Sequence, residues 1–572
     1  MEKNMKKIRF GTPEEFVPSR FCAGFSPRET DVKYPIEKIK FSTKKRGCTL
    51  ILPLDAGEQI YGLGLQLKCF NLRGRKLTIR PQADPIAPNG ESHAPVPFFV
   101  SSKGYGIYVD TARYAEFYFG SSALLRGETA KEKEKAIGTS TDDLYRLRDS
   151  GNSNISIHIP AAEGVDIYIF EGENITDVVS QYNMASGGGC GAPEWALEAM
   201  YRCPATHSQD RILEAAEKFE RDGFHIGTIG LEPGWMTHSY SDSFIWNKEL
   251  YPDHKAMIKA LRDKGYHLNL WEHAFVHPTA PFYNEILPFS GNYSVWGGAV
   301  PDFATDGARK IFADYHKKLV ELDIDGFKLD ECDGSDLTGY WSFPNMAEFP
   351  SGLDGEQYHS LFGTLYMQTI LDALGEREVL SEVRNAGALA ASYPFVLYSD
   401  LYDHPDFIRG NASAGFSGLL WSPEVRDATS GEDFIRRLEA SVFSVQCVIN
   451  AWFCETMPWL EYDCEEKVKE LLCVRHGLVP LLKAAFDRYK KEGIPPVRAL
   501  VCDYTDDPQT HGIDDEYIFC DSLLVAPIAS GHSSRRVYLP EGKWVDYFTK
   551  EPISCGWHDV TTDGIPVYEK IL

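Results

Sequence analysis

Nowhere does this sequence carry an uninterrupted apolar run approaching the ~18 residues that a membrane-spanning helix needs. No block of consecutive Lys and Arg offsets the 83 acidic residues, and 58 basic residues leave a formal net charge of −25. Nucleic acid and anionic membranes are therefore excluded as expected partners. The thirteen cysteines never form Cys-x-x-Cys, which argues against both a zinc site and a disulfide framework. They read as buried thiols of a reducing compartment. Met1 to Phe10 has the charges of a leader peptide without its apolar stretch, so a cytoplasmic location is expected. His-Glu-x-x-His is missing, and so is the Gly-x-Gly-x-x-Gly turn of a dinucleotide fold.

What is present is 572 residues, 43% apolar and 13% aromatic, too long for one core. From about residue 36 to 170, short β-rich runs such as Cys48-Thr-Leu-Ile-Leu and Ile155-Ser-Ile-His-Ile alternate with turn residues, the pattern of a β-sandwich. Gly187-Gly-Gly marks a boundary. Beyond Glu194 the pattern becomes strand then amphipathic helix. Ile226-Gly-Thr-Ile-Gly-Leu, His267-Leu-Asn-Leu-Trp, Gly326-Phe-Lys-Leu-Asp, Val379-Leu-Ser-Glu-Val and Ser417-Gly-Leu-Leu-Trp are the candidate strands. Repetition over roughly 300 residues predicts a (β/α)8 TIM barrel. From about residue 496 strand-like runs return. The expected fold is multidomain α/β: an N-terminal β-sandwich (1–190), a catalytic barrel (191–495) and a small C-terminal β domain (496–572).

Active sites of such barrels lie at the C-terminal ends of the strands. Carboxylates concentrate there: Glu232, Glu272, Asp330 with Glu331, and Asp400, with Glu424 and Glu455 in comparable later places. One acid after a strand is as readily a helix N-cap, but six or seven make a ring suited to divalent metal or to carbohydrate chemistry. His273 and His404 are the available metal-binding histidines, and each reads better as a structural residue. Trp235, Trp271, Trp296 and Trp421 stand near the acids, where aromatic faces stack on sugar rings or fill the barrel. A metal-dependent barrel hydrolase is the alternative class.

Asp325-Gly-Phe-Lys-Leu-Asp330 resembles the nucleophile motif of glycoside hydrolase family 31, and Arg384 precedes Asp400 by sixteen residues, the spacing of that family's substrate-binding Arg and acid/base Asp. Tyr61-Gly-Leu-Gly and Asp521-Ser-Leu-Leu-Val-Ala-Pro-Ile are similar to its flanking β domains. The resemblance implies a retaining, exo-acting α-glycosidase that needs no cofactor and takes a small or oligosaccharide α-glycoside, with homo-oligomerisation left open. Asp330 would be the nucleophile and Asp400 the acid/base, held protonated. Substrate contacts would come from Asp84, Glu232, Trp271, Trp296, Lys328, Arg384 and Glu455. Asp84 lies in a loop similar to the one that reaches over the barrel in that family. Two departures bear on the sugar. Glu232-Pro-Gly-Trp-Met236 stands where the α-glucosidases have Asp-Ile-Asp-Tyr-Met, and Trp452-Phe-Cys-Glu-Thr-Met stands where a histidine is usual. A Glu moves the acceptor outward by about 1.5 Å. Together with Lys328, this makes an α-galactoside the leading expectation and an α-glucoside the next.

Overall fold

The computed structural model describes residues 4–121, 153–400 and 403–571. Its N-terminal part is two five-stranded antiparallel sheets face to face. One contains Asn4–Thr12, Glu163–Glu171, Tyr105–Asp110, Phe98–Ser101 and Ile60–Gly62. The other contains Lys40–Lys44, Gly47–Leu54, Ser153–Pro160, Glu116–Phe119 and Lys76–Thr78. Between them lie Leu50, Leu52, Ile107, Val109, Phe117, Ile155 and Ile167. The second sheet alternates buried and less buried residues, as a sheet with one wet face does. Tyr105–Asp110 is buried at every position, because its outer face packs on helix Ile175–Ala185 and the barrel beyond it. The first strand, Asn4–Thr12, pairs along its whole length with Glu163–Glu171, so the sandwich starts well before residue 36.

The eight barrel strands are Ala199–Arg202, Ile226–Leu231, His267–His273, Gly326–Asp330, Ser381–Val383, Phe395–Leu397, Glu424–Val425 and Cys447–Asn450. All pair in parallel. A parallel bridge from Leu397, at the end of the sixth strand, to Trp421, three residues before the seventh, closes the ring. The run Ser417-Gly-Leu-Leu-Trp is not a strand. Residues 414–417 form a 3-10 turn and Gly418 adopts φ +69°, where a side chain would collide with Asn183. The seventh strand is instead the two residues after Pro423.

Helices Gln209–Asp222, His254–Asp263, Asp306–Val320, Gly355–Leu374, His404–Ser413, Gly431–Val442 and Glu465–Glu492 surround the barrel. A hairpin, Ser290–Val295 with Gly298–Pro301, rises after the third strand and carries Trp296 at its turn. The C-terminal domain is a six-stranded sheet with a separate two-stranded ribbon. Among the described residues no helix is long and apolar enough to cross a membrane.

Candidate active site

Alternate residues of a strand point the same way, so the last turns of the barrel strands present two tiers of side chains inward. The lower tier is Arg202, Glu232, Asn269, Lys328, Glu382, Glu424 and Asn450. Gly230 has no side chain because the Arg202 guanidinium fills that place, 2.9 Å from where a Cβ would stand. Arg202 donates to Glu232, and to Asn269 and Glu382 at 2.8 Å each. Lys328 donates to Glu424 at 2.8 Å and lies 3.7 Å from Glu232. Asn450 donates to the other oxygen of Glu424 at 3.0 Å. Burial pushes Glu382 up to about 7 against the pull of Arg202.

The upper tier contains the expected nucleophile. Asp330 ends the fourth strand, and three donors converge on its carboxyl: the Trp271 indole N–H at 2.7 Å, the Glu331 backbone N–H at 2.8 Å and Arg384 at 3.3 Å. Burial raises Asp330 above the ordinary carboxylate range, while Arg384 and Lys328 pull it back. The same Nη1 of Arg384 also donates to Asp400, and its Nε donates to Asp333 at 3.0 Å. Arg426 takes the second oxygen of Asp400 at 2.7 Å. Because one guanidinium nitrogen serves both carboxylates, and Asp400 is the nearer, their facing oxygens are separated by no more than twice 3.3 Å.

The surroundings of Asp400 disfavour the protonated form that an acid role needs. Burial opposes its ionisation, but Arg384 and Arg426 together outweigh burial and hold it well below the usual carboxylate range. The carboxyl with both oxygens on guanidiniums is a poor acid until one of them lets go.

The other expected contacts fall into four groups, Glu455 being the last. Trp271 and Trp296 are at the site: Trp271 is bonded to the nucleophile, and Tyr240 packs against both indoles, with centroids at 5.5 and 5.0 Å. Asp84 is exposed, on the loop that reaches the barrel mouth, where the Ala83 carbonyl accepts from Arg384 at 3.4 Å and His93 bonds Asp333 at 2.6 Å. Glu232 and Lys328 lie in the lower tier, each side chain 1% exposed, and the Oε2 of Glu232 meets no protein donor among the described residues.

Glu455 does not join the cluster. Its side chain is exposed, and among the described residues it is engaged through its backbone carbonyl, by His207. The eighth strand sends Asn450 inward instead, and Trp452 lies beneath the Arg426 guanidinium at 5.3 Å. Of the other aromatics, Trp235 and Trp421 are barrel packing, with their indole N–H groups on backbone carbonyls of Trp271 and Phe407. His273 is buried against Asp242, and His404 accepts from Ser530.

Arg202, Asp333, Glu382, Arg426 and His93 were not singled out from sequence. A lone charge inside a short apolar strand, as in Ala199-Met-Tyr-Arg and Ser381-Glu-Val, was the signal for two of them. His93 had no local signal, since it lies 240 residues from its partner.

The chain and its fold have known relatives. The model of the glycosyl hydrolases family 31 TIM-barrel domain matches residues 191–485. The chain belongs to glycosyl hydrolase family 31. The family 31 C-terminal domain matches residues 493–571, and the family's N-terminal galactose mutarotase-like domain matches 28–117. An α-xylosidase of Emericella nidulans is 22% identical over 541 residues, covering 88% of this chain and 64% of that protein. An α-glucosidase of Saccharolobus solfataricus is 24% identical over 616 residues, covering 94% and 83%. The family 31 dextranase of Flavobacterium johnsoniae, solved with glucose, superposes with a TM-score of 0.80 at 20% identity, over 93% of this chain and 67% of that one. The family 31 chain thus spans less than two thirds of the length of the Emericella relative.

Proposed function

We propose that the protein is a retaining, exo-acting α-glycosidase, with Asp330 as nucleophile and Asp400 as acid/base. The observation that carries this reading is the pair of carboxylates shared by one nitrogen of Arg384. Their ceiling of twice 3.3 Å suits the roughly 5–5.5 Å of retaining enzymes and barely reaches the lower edge of the ~6.5–9.5 Å that inverting enzymes need.

In the first step Asp330 attacks the anomeric carbon while the glycosidic oxygen leaves with a proton from Asp400. In the second, Asp400 takes a proton from water as that water opens the glycosyl ester. The anomeric carbon must lie between the two carboxyls, so an entering sugar parts Asp400 from Arg384. Losing one of its two cations raises the Asp400 pKa, and the acid becomes protonated as substrate binds. Asp330 keeps the N–H groups of Trp271 and Glu331 throughout.

For the sugar, relatives named α-xylosidase and α-glucosidase support a gluco- or xylo-configured terminal residue. An α-galactoside remains the second reading, resting on the Glu that stands at 232 where the family's α-glucosidases have Asp. Thirteen cysteines, all unpaired, support a reducing compartment.

The test is a panel of aryl α-glucoside, α-xyloside and α-galactoside, followed by proton NMR during early turnover. An α-configured first product is expected. A β-configured first product would overturn retention, and a galactoside preference would restore the second reading.

A further inference from the structure

We propose that Glu331 is a substrate-contacting residue that donates a hydrogen bond from its carboxyl to a hydroxyl of the bound glycoside. The inference rests on the glycosidase reading and goes beyond it, since Glu331 has no part in the double displacement.

Glu331 follows the nucleophile and holds a left-handed backbone, φ +55°. That conformation turns its N–H onto Asp330 Oδ1 at 2.8 Å, a task glycine would perform without the steric penalty of a Cβ. Strained residues collect in this pocket: Tyr240 and Trp296, which pack against each other, have φ +62° and +48°. Retaining a long side chain at such a position calls for a use of the side chain.

The surroundings define that use. The charged and titratable groups acting on the Glu331 carboxyl are Asp330 on its own strand, Asp333 in its own loop, Arg384 after the fifth strand and Asp400 after the sixth, with Tyr240 across the pocket. Arg384 is committed to Asp330, Asp333 and Asp400. Among the described residues none hydrogen-bonds the Glu331 carboxyl, although the residue is half-buried. Burial first and Asp330 second push it well above the usual range, which favours the protonated form that can donate. Beside the other three carboxyls, the group left to receive that proton is a substrate hydroxyl.

The experiment compares Glu331→Ala, Glu331→Gly and Glu331→Gln with wild type on the accepted aryl glycoside. A lost donor to a substrate hydroxyl should cut kcat/KM about 10- to 100-fold in the Ala and Gly variants. Gln, still a donor, should stay within about threefold. Gly should also raise Tm, because it relaxes the backbone. Wild-type kcat/KM should fall as pH rises and Glu331 ionises, and the Gln variant should lack that component. Ala and Gly within twofold of wild type would overturn the proposal. So would Gln falling as far as Ala, or Gly lowering Tm together with activity, which would assign the carboxyl to the fold. A wild type that turns over no α-glycoside sinks the glycosidase reading first and this one with it.

Discussion

Lys328 and Asp330 stand two residues apart at the end of one barrel strand, as do Glu382 and Arg384 on the next and Glu424 and Arg426 on the seventh. The lower member of each pair is closed inside the barrel, and Lys328 and Glu424 are each 1% exposed. The upper members surround a space open enough to leave a third of Asp400 accessible. Both tiers use the same residue types, but their charges are spent differently. Below, two cations and three carboxyl groups, of which burial pushes Glu382 up to about 7, pair with one another within the protein. Above, two guanidiniums stand among four carboxyl groups, Asp330, Glu331, Asp333 and Asp400, and burial with the charge of Asp330 favours the protonated form of Glu331. A charged barrel interior is therefore not by itself a sign of chemistry; the tier that ends in open space is where rate should be lost, and the closed tier is where stability should be lost.

The sharpest way to break this comparison is at Asp330. Asp330→Ala should reduce turnover by roughly 10⁴-fold or more, as loss of a catalytic nucleophile does. Its Tm should hold or rise, because burial and Asp400 already disfavour the Asp330 charge. Azide should restore a β-configured product from an activated α-glycoside. An α-configured azide product, or wild-type activity without azide, would remove Asp330 from its role.

The lower tier should respond in the opposite sense. Lys328→Met removes the ammonium between Glu424 and Glu232 and leaves buried carboxylates short of a cation. Breaking one side of a buried ion pair costs about 3–5 kcal/mol, so a large fall in stability to urea is expected. Activity per folded molecule should suffer far less than in Asp330→Ala. If Lys328→Met keeps its stability and loses activity instead, Lys328 belongs to the substrate and the two tiers are not separable.

That division also explains what could be read from the sequence. Asp330 and Asp400 were legible because each closes an apolar strand, Arg384 because its spacing to Asp400 resembles that of family 31, and Trp271 because it immediately precedes a strand-end acid. Glu232 and Lys328 were legible as residues but not as to tier, since the two tiers differ by one step of a period-2 pattern and a sequence does not say where a strand's last inward residue meets open space. Glu455 looked equivalent to the other strand-end acids, yet the eighth strand stops at Asn450 and the chain turns outward before reaching it. The seventh strand was misplaced because Leu419, Leu420 and Trp421 are as apolar as a strand while Gly418 sets their backbone otherwise. The sandwich's first strand, rich in Lys and Arg at its outer edge, lacked the apolar alternation that announces one.

Arg426 provides the finest test, with the smallest effect. It bonds the Asp400 oxygen that Arg384 does not, from a position braced over Trp452 and Phe453, with centroid distances of 5.3 and 5.6 Å. In the free enzyme both cations favour the ionised form, so the protonated acid becomes scarcer as pH rises, and kcat/KM for a glycoside with a poor leaving group should fall across that range. Arg426→Gln removes one cation while keeping a donor of similar reach. The folded-state pKa of Asp400 then moves up, the protonated fraction at any given pH increases, and the descending limb shifts toward higher pH. Substrates that leave without protonation, such as a glycosyl fluoride, should show no such shift. The gain on the poor leaving group should be modest, about tenfold or less at neutral pH, because Arg384 still holds the other oxygen. A limb that stays in place for both substrates would mean that Arg426 does not govern the acid. An equal shift for both would assign the limb to Asp330 or Glu331 instead, and the upper tier would then have to be divided differently.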